Sequence, residues 1–338
     1  MRLALLVFLL FPSVASAQET VGILGNTGLW KVLTTDTLPS GKAAFGTWYD
    51  RINRNPGDLT ISTTGFSAAV GIGRNFEAGA AFEVNKHVLA GRQDQLSFGQ
   101  QALGLFGDQT PGSPPLPNER AAGSSRMPQL RSPATTQGPL TGAAGYYDLL
   151  PFAGFVREGS GVGQITAGGK WRLLSEATGA PLGLAVHAHL DIPIRKGIDY
   201  LLTHPAGTAD LQFGFDGILS RRLADAAGLY WNFGYRHIDQ PVHNSVVQLA
   251  DEAPLGFGWN VPRTGRIQFV GEATAEVLIG EHTSNTTFGA ADPVDLTLGF
   301  RVEVVPRMIV SGGYRRPVNQ YGGDRNGFVI QAGFTQSR

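Results

Sequence analysis

Apolar and polar side chains alternate along residues 265–279 of this chain, with Val270 and Leu278 as the two apolar exceptions on the polar face. Ile267 and Phe269 begin one face of the segment, and Arg266 and Glu272 belong to the other. A period of two is the mark of a β-strand whose two faces meet different surroundings. The segment is therefore predicted to be a strand with one apolar and one polar face.

Further segments show the same alternation, and no amphipathic helical stretch of useful length competes with them. The chain is therefore predicted to be built of β-strands. These segments are residues 76–85, 164–173, 182–192, 210–220 and 294–304.

Short and long connections alternate between the predicted strands. Short turns at one end and long loops at the other are typical of outer-membrane barrels, with the turns in the periplasm and the loops outside the cell. The short ones are Pro39–Gly41, Gly73–Asn75, Glu176–Ala180, Arg222–Ala226, Pro262–Gly265 and Pro306–Arg307. The long ones are Asn53–Asp58, Gly91–Gly161, Arg195–Thr208, Asp239–Ala253, Gly280–Pro293 and Asn319–Asn326.

The alternation of connections also sets the strand count. If residues 239–264 were one loop the order would break, and a strand at Pro254–Val261 restores it. The first strand then begins near Lys42, the C-terminus lies in the periplasm, and the count is even, as bacterial single-chain barrels require. The predicted fold class is all-β: an antiparallel transmembrane β-barrel of about 12 strands with short periplasmic turns and long extracellular loops.

The N-terminus predicts export. Arg2 is followed by an apolar run, Leu3–Phe11, and by the small residues Ala15-Ser16-Ala17. This is the pattern of a signal peptide, here residues 1–17, cleaved before Gln18. The alternative, a retained membrane helix, would need an apolar run of roughly 20 residues. With no other long apolar run, the mature chain is either a soluble β-sandwich outside the cytoplasm or a closed barrel that spans the membrane. The barrel, which we favour, places it in the cell outer membrane.

Composition excludes several function classes. The chain has no Cys, so disulfides and thiolate metal sites are excluded. Its 27 basic and 27 acidic residues balance, which gives no reason to expect nucleic acid as a partner. Charged residues are 16% of the chain, low against a typical quarter, as expected where half of each strand faces lipid.

Two regions fall outside the predicted wall, which covers residues 41–336. Residues 18–40 are predicted to be a periplasmic lead-in, whose part Gly28–Leu38 tucks into the barrel or lies against its base; a first strand there is the alternative. The long extracellular loop 92–161 is rich in Pro, Gly, Ser and Gln over 111–139, which favours a partly disordered surface loop. Its more apolar part, 146–156, is the segment that would fold into the lumen or lie at the rim.

The segment Val162–Ile194 resembles outer-membrane proteins of the MetA-pathway-of-phenol-degradation, or transporter-like, family. The shared pattern is a strand that ends in K-x-R-L-L at a periplasmic turn, then an apolar strand that ends near a proline. Residues 228–313 look like the same group's barrel, and Thr27–Gly46 is similar to the opening of OmpA-like and YjbH-like barrels. The resemblance implies an outer-membrane barrel linked to passage of small hydrophobic compounds.

The inward face is predicted to carry charges of both signs. They would either line a water-filled pore or pair across a narrow lumen and close it. The predicted lumen-lining residues are Lys170, Arg172, His187, His189, Asp191, Asp216, Arg236, Arg266, Glu272, Glu276, Arg301 and Glu303, together with Asp210, Asp295 and Arg315.

The sequence gives only weak indications of a metal site or a catalytic site. His187, His189 and Asp191 share a face at a spacing of two, which suits a metal but also arises by chance on a polar strand. No second ligand cluster is visible, so we predict neither a metal nor any other cofactor. His237 is predicted to point outward near the rim, but no serine is convincingly placed beside it, so we predict no catalytic residues and no enzyme.

The aromatic residues predict a girdle at the membrane interface. Its predicted members are Trp48, Tyr49, Trp171, Tyr230, Trp231, Tyr235, Trp259 and Tyr314. The leading function is then a channel or transporter for small solutes, hydrophobic ones among them. The alternatives are a non-conducting structural or surface-interaction barrel and, third, a lipid-modifying enzyme. The predicted partners are outer-membrane lipid, the barrel-assembly machinery and a small-molecule solute.

Overall fold

The computed structural model describes residues 20–54, 58–91, 145–147, 150–152, 158–194, 211–238, 250–280, 292–319 and 326–336. The predicted signal peptide, most of the loop 92–161 and Asp210 lie outside these ranges. The signal peptide and its cleavage site therefore stay a prediction.

Twelve strands form the wall, which confirms the predicted count. The strand at Pro254–Val261, required only by the order of connections, is present, and the first strand begins next to Lys42. The wall strands are β1 (Ala43–Arg54), β2 (Leu59–Ile72), β3 (Phe76–Ala90), β7 (Gln164–Leu174), β8 (Gly183–Pro193), β9 (Gln212–Leu223), β10 (Ala227–Ile238), β11 (Asp251–Val261), β12 (Ile267–Ile279), β13 (Val294–Val305), β14 (Met308–Pro317) and β15 (Gly327–Thr335).

Each wall strand pairs antiparallel with its neighbours, and β1 pairs with β15 to close the sheet into a barrel. Closure satisfies the backbone hydrogen bonds of every strand and removes the sheet edges. Three short strands lie between β3 and β7: β4 (Gly145–Tyr147), β5 (Leu150–Phe152) and β6 (Glu158–Gly161). β4 pairs with β5, and β6 pairs with the far end of β3, so the last residues of the predicted loop extend the wall.

The turns at one end of the barrel are short, as predicted. Residues 73–75 join β2 to β3 and residues 306–307 join β13 to β14, both as the sequence indicated. A turn with a short 3-10 helix, Glu176–Thr178, joins β7 to β8 and ends at Gly179, whose φ of 90° suits glycine. We call this side the short-turn end and the other side the long-connection end.

The outer surface of the barrel is apolar. Phe269 and Leu298, on β12 and β13, expose 60% and 59% of their surface, and outward positions on the other strands are similar. A contiguous apolar exterior of this extent is suited to lipid and not to water. Separately, none of the described helices is long and apolar enough to cross a membrane.

Two predicted girdle residues point inward instead. Trp48 and Tyr230 are only 5% and 6% exposed, and the Tyr230 hydroxyl donates to Asn260 Oδ1 inside the barrel. Both lie at inward-facing positions of β1 and β10. The girdle prediction rested on residue type and did not take these positions into account. Trp171 and Tyr314 are exposed outward toward strand ends, as a girdle requires. Trp231 and Tyr235 are exposed outward too, but Trp231 lies near the middle of β10, and Tyr49 and Trp259 are half-buried.

Residues 20–38 lie inside the barrel and not in its wall. Two isolated bridges fold them into a compact loop, Val21 to Thr27 and Gly28 to Leu33. The backbone N–H of Ile23 also donates to Trp30 O at 2.9 Å. We call residues 20–38 the luminal segment. Of the three placements considered from the sequence, inside the barrel, against its base or in the wall as a first strand, the structure has the first.

Candidate functional site

The luminal segment is held at one side by a buried ion pair. Glu77 of β3 accepts hydrogen bonds from the backbone N–H of Thr27 at 2.8 Å and of Leu38 at 2.9 Å. Lys170 of β7, 3.5 Å from Glu77, donates to the carbonyl oxygens of Thr27 at 2.9 Å and Thr34 at 3.0 Å. Both charged side chains are fully buried. Burial of this pair is tolerable because each charge is matched and hydrogen-bonded.

A second carboxylate holds the opposite side. Glu272 Oε1 of β12 accepts from the backbone N–H groups of Trp30 at 2.8 Å, Lys31 at 3.0 Å and Val32 at 3.0 Å. Successive N–H groups that point to one place form a concave anion site. The Trp30 indole N–H also donates to Ser311 Oγ at 3.0 Å. Wall and segment are therefore fitted to each other by charge as well as by shape.

Other contacts spread the attachment around the barrel. Asn232 of β10 accepts from the backbone N–H of Leu33 at 2.6 Å and donates to its carbonyl at 2.9 Å. Arg301 of β13 donates to Gly28 O at 2.8 Å, and Ser220 of β9 accepts from the backbone N–H of Thr35 at 3.1 Å. These partners lie nearer the short-turn end, so the segment fills that half of the lumen.

Glycine in the wall makes room for the segment. A Cβ added at Gly79 of β3 would lie 2.8 Å from Asn26 Cγ and closer still to the carbonyl oxygen of Gly25. A Cβ at Gly313 of β14 would lie 2.7 Å from the Trp30 ring. Backbone and segment touch directly at these points, which a larger residue would prevent.

A cavity of about 210 Å³ remains between the luminal segment and the long-connection end. Ile23, Val32 and Leu33 of the segment form part of its lining. The wall contributes a mainly apolar side and a polar side. The apolar side includes Trp48, Ile52, Ile61 and Ala81, and the polar side includes Glu83, Lys86, Gln164, His187, His189, Asp191, Asp216, Arg236 and Glu276.

The structure separates the predicted lumen-lining residues into three groups. Lys170, Glu272 and Arg301 contact the luminal segment. His187, His189, Asp191, Asp216, Arg236 and Glu276 line the cavity. Arg172, Arg266 and Glu303 lie near the short turns, where Arg172 donates to Arg74 O and Glu303 accepts from the backbone N–H of Arg307.

Many of the interior charges are paired across strands. Arg315 Nη1 is 2.7 Å from Asp50 Oδ1, Arg54 Nη2 is 2.8 Å from Asp295 Oδ2, and Arg236 Nη1 is 3.1 Å from Glu252 Oε2. The sequence left open whether such charges line a pore or pair and close it. In the structure these charges pair, yet a cavity remains in the lumen, and Asp50 and Arg236 are among its lining residues.

Two histidines and a carboxylate meet at the wall of this cavity. His187 Nδ1 lies 2.8 Å from Asp216 Oδ2, and His189 Nδ1 lies 3.6 Å from the same oxygen. The two rings are stacked, with centroids 5.2 Å apart. The sequence pattern singled out Asp191 as the third member, but the shared group is Asp216, which pairs with His187 across β8 and β9. Only strand register reveals that relationship.

His237 points outward, as predicted. Its Nδ1 lies 2.9 Å from Asp251 Oδ1, and its ring contacts Phe213. Within the described parts of β9 and β11, the outward positions beside it are Phe213, Asp251 and Ala253, none of which is a serine. The described wall therefore presents no Ser–His pair there for lipid cleavage.

Comparison with known proteins identifies the fold. No protein-family model matches the chain, and no curated protein matches it. An outer membrane channel from Pseudomonas putida F1 superposes with a TM-score of 0.56 over 89% of this chain and 98% of its own, at 8% identity. The chain is an outer-membrane β-barrel. At this identity the likeness shows a shared fold alone.

Two other solved barrels are more distant. The NanC porin has a TM-score of 0.43 and 4% identity over 88% of this chain and 100% of its own. The CymD monoaromatic hydrocarbon channel has a TM-score of 0.40 and 12% identity over 89% of both chains. Both scores are too low to carry an argument about this barrel.

Proposed function

We propose that this barrel is a channel or transporter for small solutes, hydrophobic ones among them. The observation that carries the proposal is the cavity between the luminal segment and the long-connection end. This cavity has a mainly apolar side and a side lined by charged and polar residues. A lumen built only for rigidity has no need of such a space. The apolar side suits an uncharged organic solute, and the polar side orients the groups such a solute carries.

The resemblance of residues 162–194 to the phenol-degradation, transporter-like family supports the same substrate class. The P. putida neighbour is described as an outer membrane channel, which is consistent with the proposal. We propose, too, that the barrel-assembly machinery inserts the chain, since the wall is of the bacterial outer-membrane type.

Passage through the whole barrel requires the luminal segment to move. Leu29 and Trp30 of the segment and Val270 and Val329 of the wall are almost fully buried in one apolar cluster. Hydrogen bonds and packing hold the segment in the lumen. Its only covalent link to the wall is the chain itself. A segment held in this way can shift to open a path without unfolding the wall.

Planar-bilayer recording tests the proposal. Purified, folded protein should give discrete conductance steps, and Glu77→Ala with Glu272→Ala should raise the open fraction because the segment loses its two carboxylate anchors. Asp251→Asn is the matched control, since it removes an outward-facing carboxylate that pairs with His237. A complete lack of conductance in all three proteins, at several voltages, contradicts a channel.

A non-conducting structural or interaction barrel is the second candidate. The observation that favours it is the spread of segment contacts, which reach β3, β7, β9, β10, β12, β13 and β14. In that case the loop 92–161 carries the partner-binding role. Deletion of residues 111–139, which lie outside the described residues, should then abolish binding of the partner and leave the barrel folded.

A further inference from the structure

We propose that His187, His189 and Asp216 form a binding site for a divalent transition metal, of the zinc type, on the inner wall of the barrel. The site faces the cavity between the luminal segment and the long-connection end. It stands on the described residues alone and does not depend on whether the barrel conducts.

The donor atoms converge. One ligand atom from each of the three side chains lies within 4.8 Å of the other two. Both Nδ1 atoms approach the same carboxylate oxygen, Asp216 Oδ2, at 2.8 and 3.6 Å. A zinc ion with N and O ligands at about 2.0–2.2 Å fits between them after a small outward movement of the carboxylate.

The outer nitrogen of each histidine also has an oxygen beside it. His187 Nε2 lies 3.1 Å from Asn26 Oδ1 of the luminal segment, and His189 Nε2 lies 3.6 Å from Asp191 Oδ2. Thr166 donates a hydrogen bond to the other oxygen of Asp191. At His187 this acceptor keeps the proton on Nε2 and leaves Nδ1 free to bind a metal, as outer partners do in known metal sites.

His189 is the independent sign that a ligand belongs here. Its side chain is only 6% exposed, yet neither ring nitrogen makes a hydrogen bond to the described residues. Buried polar groups are normally satisfied, and an exception calls for an explanation such as an ion. The competing explanation is a protonated His189 held between Asp191 and Asp216.

Glycine makes room for the stacked rings. A Cβ at Gly168 of β7 would lie 2.6 Å from His187 Nε2, and a Cβ at Gly214 of β9 would lie 2.6 Å from His189 Nε2. Glycine at these two positions leaves room for both imidazoles to lie against the wall with their Nδ1 atoms turned to Asp216. The remaining coordination positions face the cavity, where water or a solute would complete the shell.

The surrounding charges favour a cation. Asp191, Asp216 and Glu276 lie on this side of the cavity. The nearby cations each have a carboxylate partner of their own: Arg236 pairs with Glu252, Lys86 with Glu83 and Lys170 with Glu77. Two imidazoles select zinc, copper or nickel over calcium and magnesium, which prefer oxygen ligands. Because Asn26 belongs to the luminal segment, an occupied site would also tie that segment more firmly to β8.

Metal titration of the folded, full-length barrel tests this proposal. Protein freed of metal with a chelator should take up one equivalent of Zn²⁺ in competition with a chromophoric chelator. Co²⁺ should give visible absorption bands of a low-coordinate site with nitrogen ligands. His189→Gln should weaken Zn²⁺ binding at least about 100-fold and abolish the Co²⁺ bands, and Asp216→Asn should weaken binding as well.

His237→Gln is the matched control, because His237 also contacts a carboxylate but has no second histidine beside it in the described structure. It should leave binding unchanged. A shift in gel migration between unboiled and boiled samples establishes that each variant is folded. Absence of Zn²⁺ uptake by the folded wild type overturns the proposal in favour of a protonated His189. Uptake that is equal in His189→Gln and wild type overturns it too.

Discussion

The carboxylate of Glu272 accepts hydrogen bonds from three consecutive backbone N–H groups, of which that of Trp30 is 2.8 Å away. Glu272 and Trp30 are 242 residues apart in sequence. This contact fixes the centre of the luminal segment against β12. The segment is therefore part of the folded interior and is subject to the same energetics as a core.

Loss of this carboxylate should loosen the segment. Glu272→Ala removes the acceptor of three N–H groups, and hydrogen bonds to a charged group contribute about 1.5–3 kcal/mol each. We expect amide exchange at residues 30–32 to accelerate by more than tenfold, measured by hydrogen–deuterium exchange with mass spectrometry. Glu303→Ala, which removes an inward carboxylate near the short turns, is the control. Unchanged protection at residues 30–32 would contradict the anchoring role.

Removal of one partner of the buried ion pair should be costly. Lys170→Met leaves Glu77 buried without its cation, and such a change costs about 3–5 kcal/mol. The free energy of unfolding in urea, measured from lipid vesicles, should fall by that amount. Glu158→Gln breaks the more exposed pair with His87 and should cost less than about 1 kcal/mol. Equal losses for the two variants would sink this account of Lys170.

At Gly79 the wall touches the luminal segment, so an added side chain there should disturb the segment and leave the wall intact. Gly79→Ala places a methyl group against the backbone of Gly25, so the segment should be displaced while the strands still pair. Trypsin should then cut after Lys31, whereas the folded wild type should resist cleavage there. Gly333→Ala is the control, because the nearest atom to its Cβ is 3.6 Å away. Resistance of Gly79→Ala to trypsin would show that the segment tolerates the methyl group.

The outer face should show the depth dependence of a lipid environment. Leu298→Arg lies near the middle of β13, where an arginine facing lipid costs about 2–4 kcal/mol. Val304→Arg lies next to the end of the same strand and should cost no more than about 1 kcal/mol. Unfolding in vesicles measures both. Similar costs at the two positions would argue against a bilayer around this face.

Much of the wall was predictable from the sequence because each strand has to satisfy lipid on one side and a polar interior on the other. That requirement produces the alternation on β12 and β13, and the order of connections recovered β11. Residue type alone misled at Trp48 and Tyr230, where register places the aromatic ring inside. An aromatic residue does not reveal its own face without the strand around it.

The interior was less predictable. The luminal segment has no period, since its backbone bonds to carboxylates from distant strands, as Thr27 does to Glu77 50 residues on. The convergence of His187 and Asp216 likewise depends on the pairing of β8 with β9. Such contacts are set by tertiary register, which a local pattern does not contain. The inward face itself could be recognised from the sequence, because charged residues recur at alternate positions of the strands.

Single-channel recording of the full chain beside a variant that lacks residues 20–38 tests the central claim most directly. A shift in gel migration on boiling first establishes that both barrels are folded. We predict discrete steps from the full chain and a larger conductance, with a higher open fraction, from the shortened one. Silence from both folded proteins at every voltage would contradict a channel closed by the luminal segment.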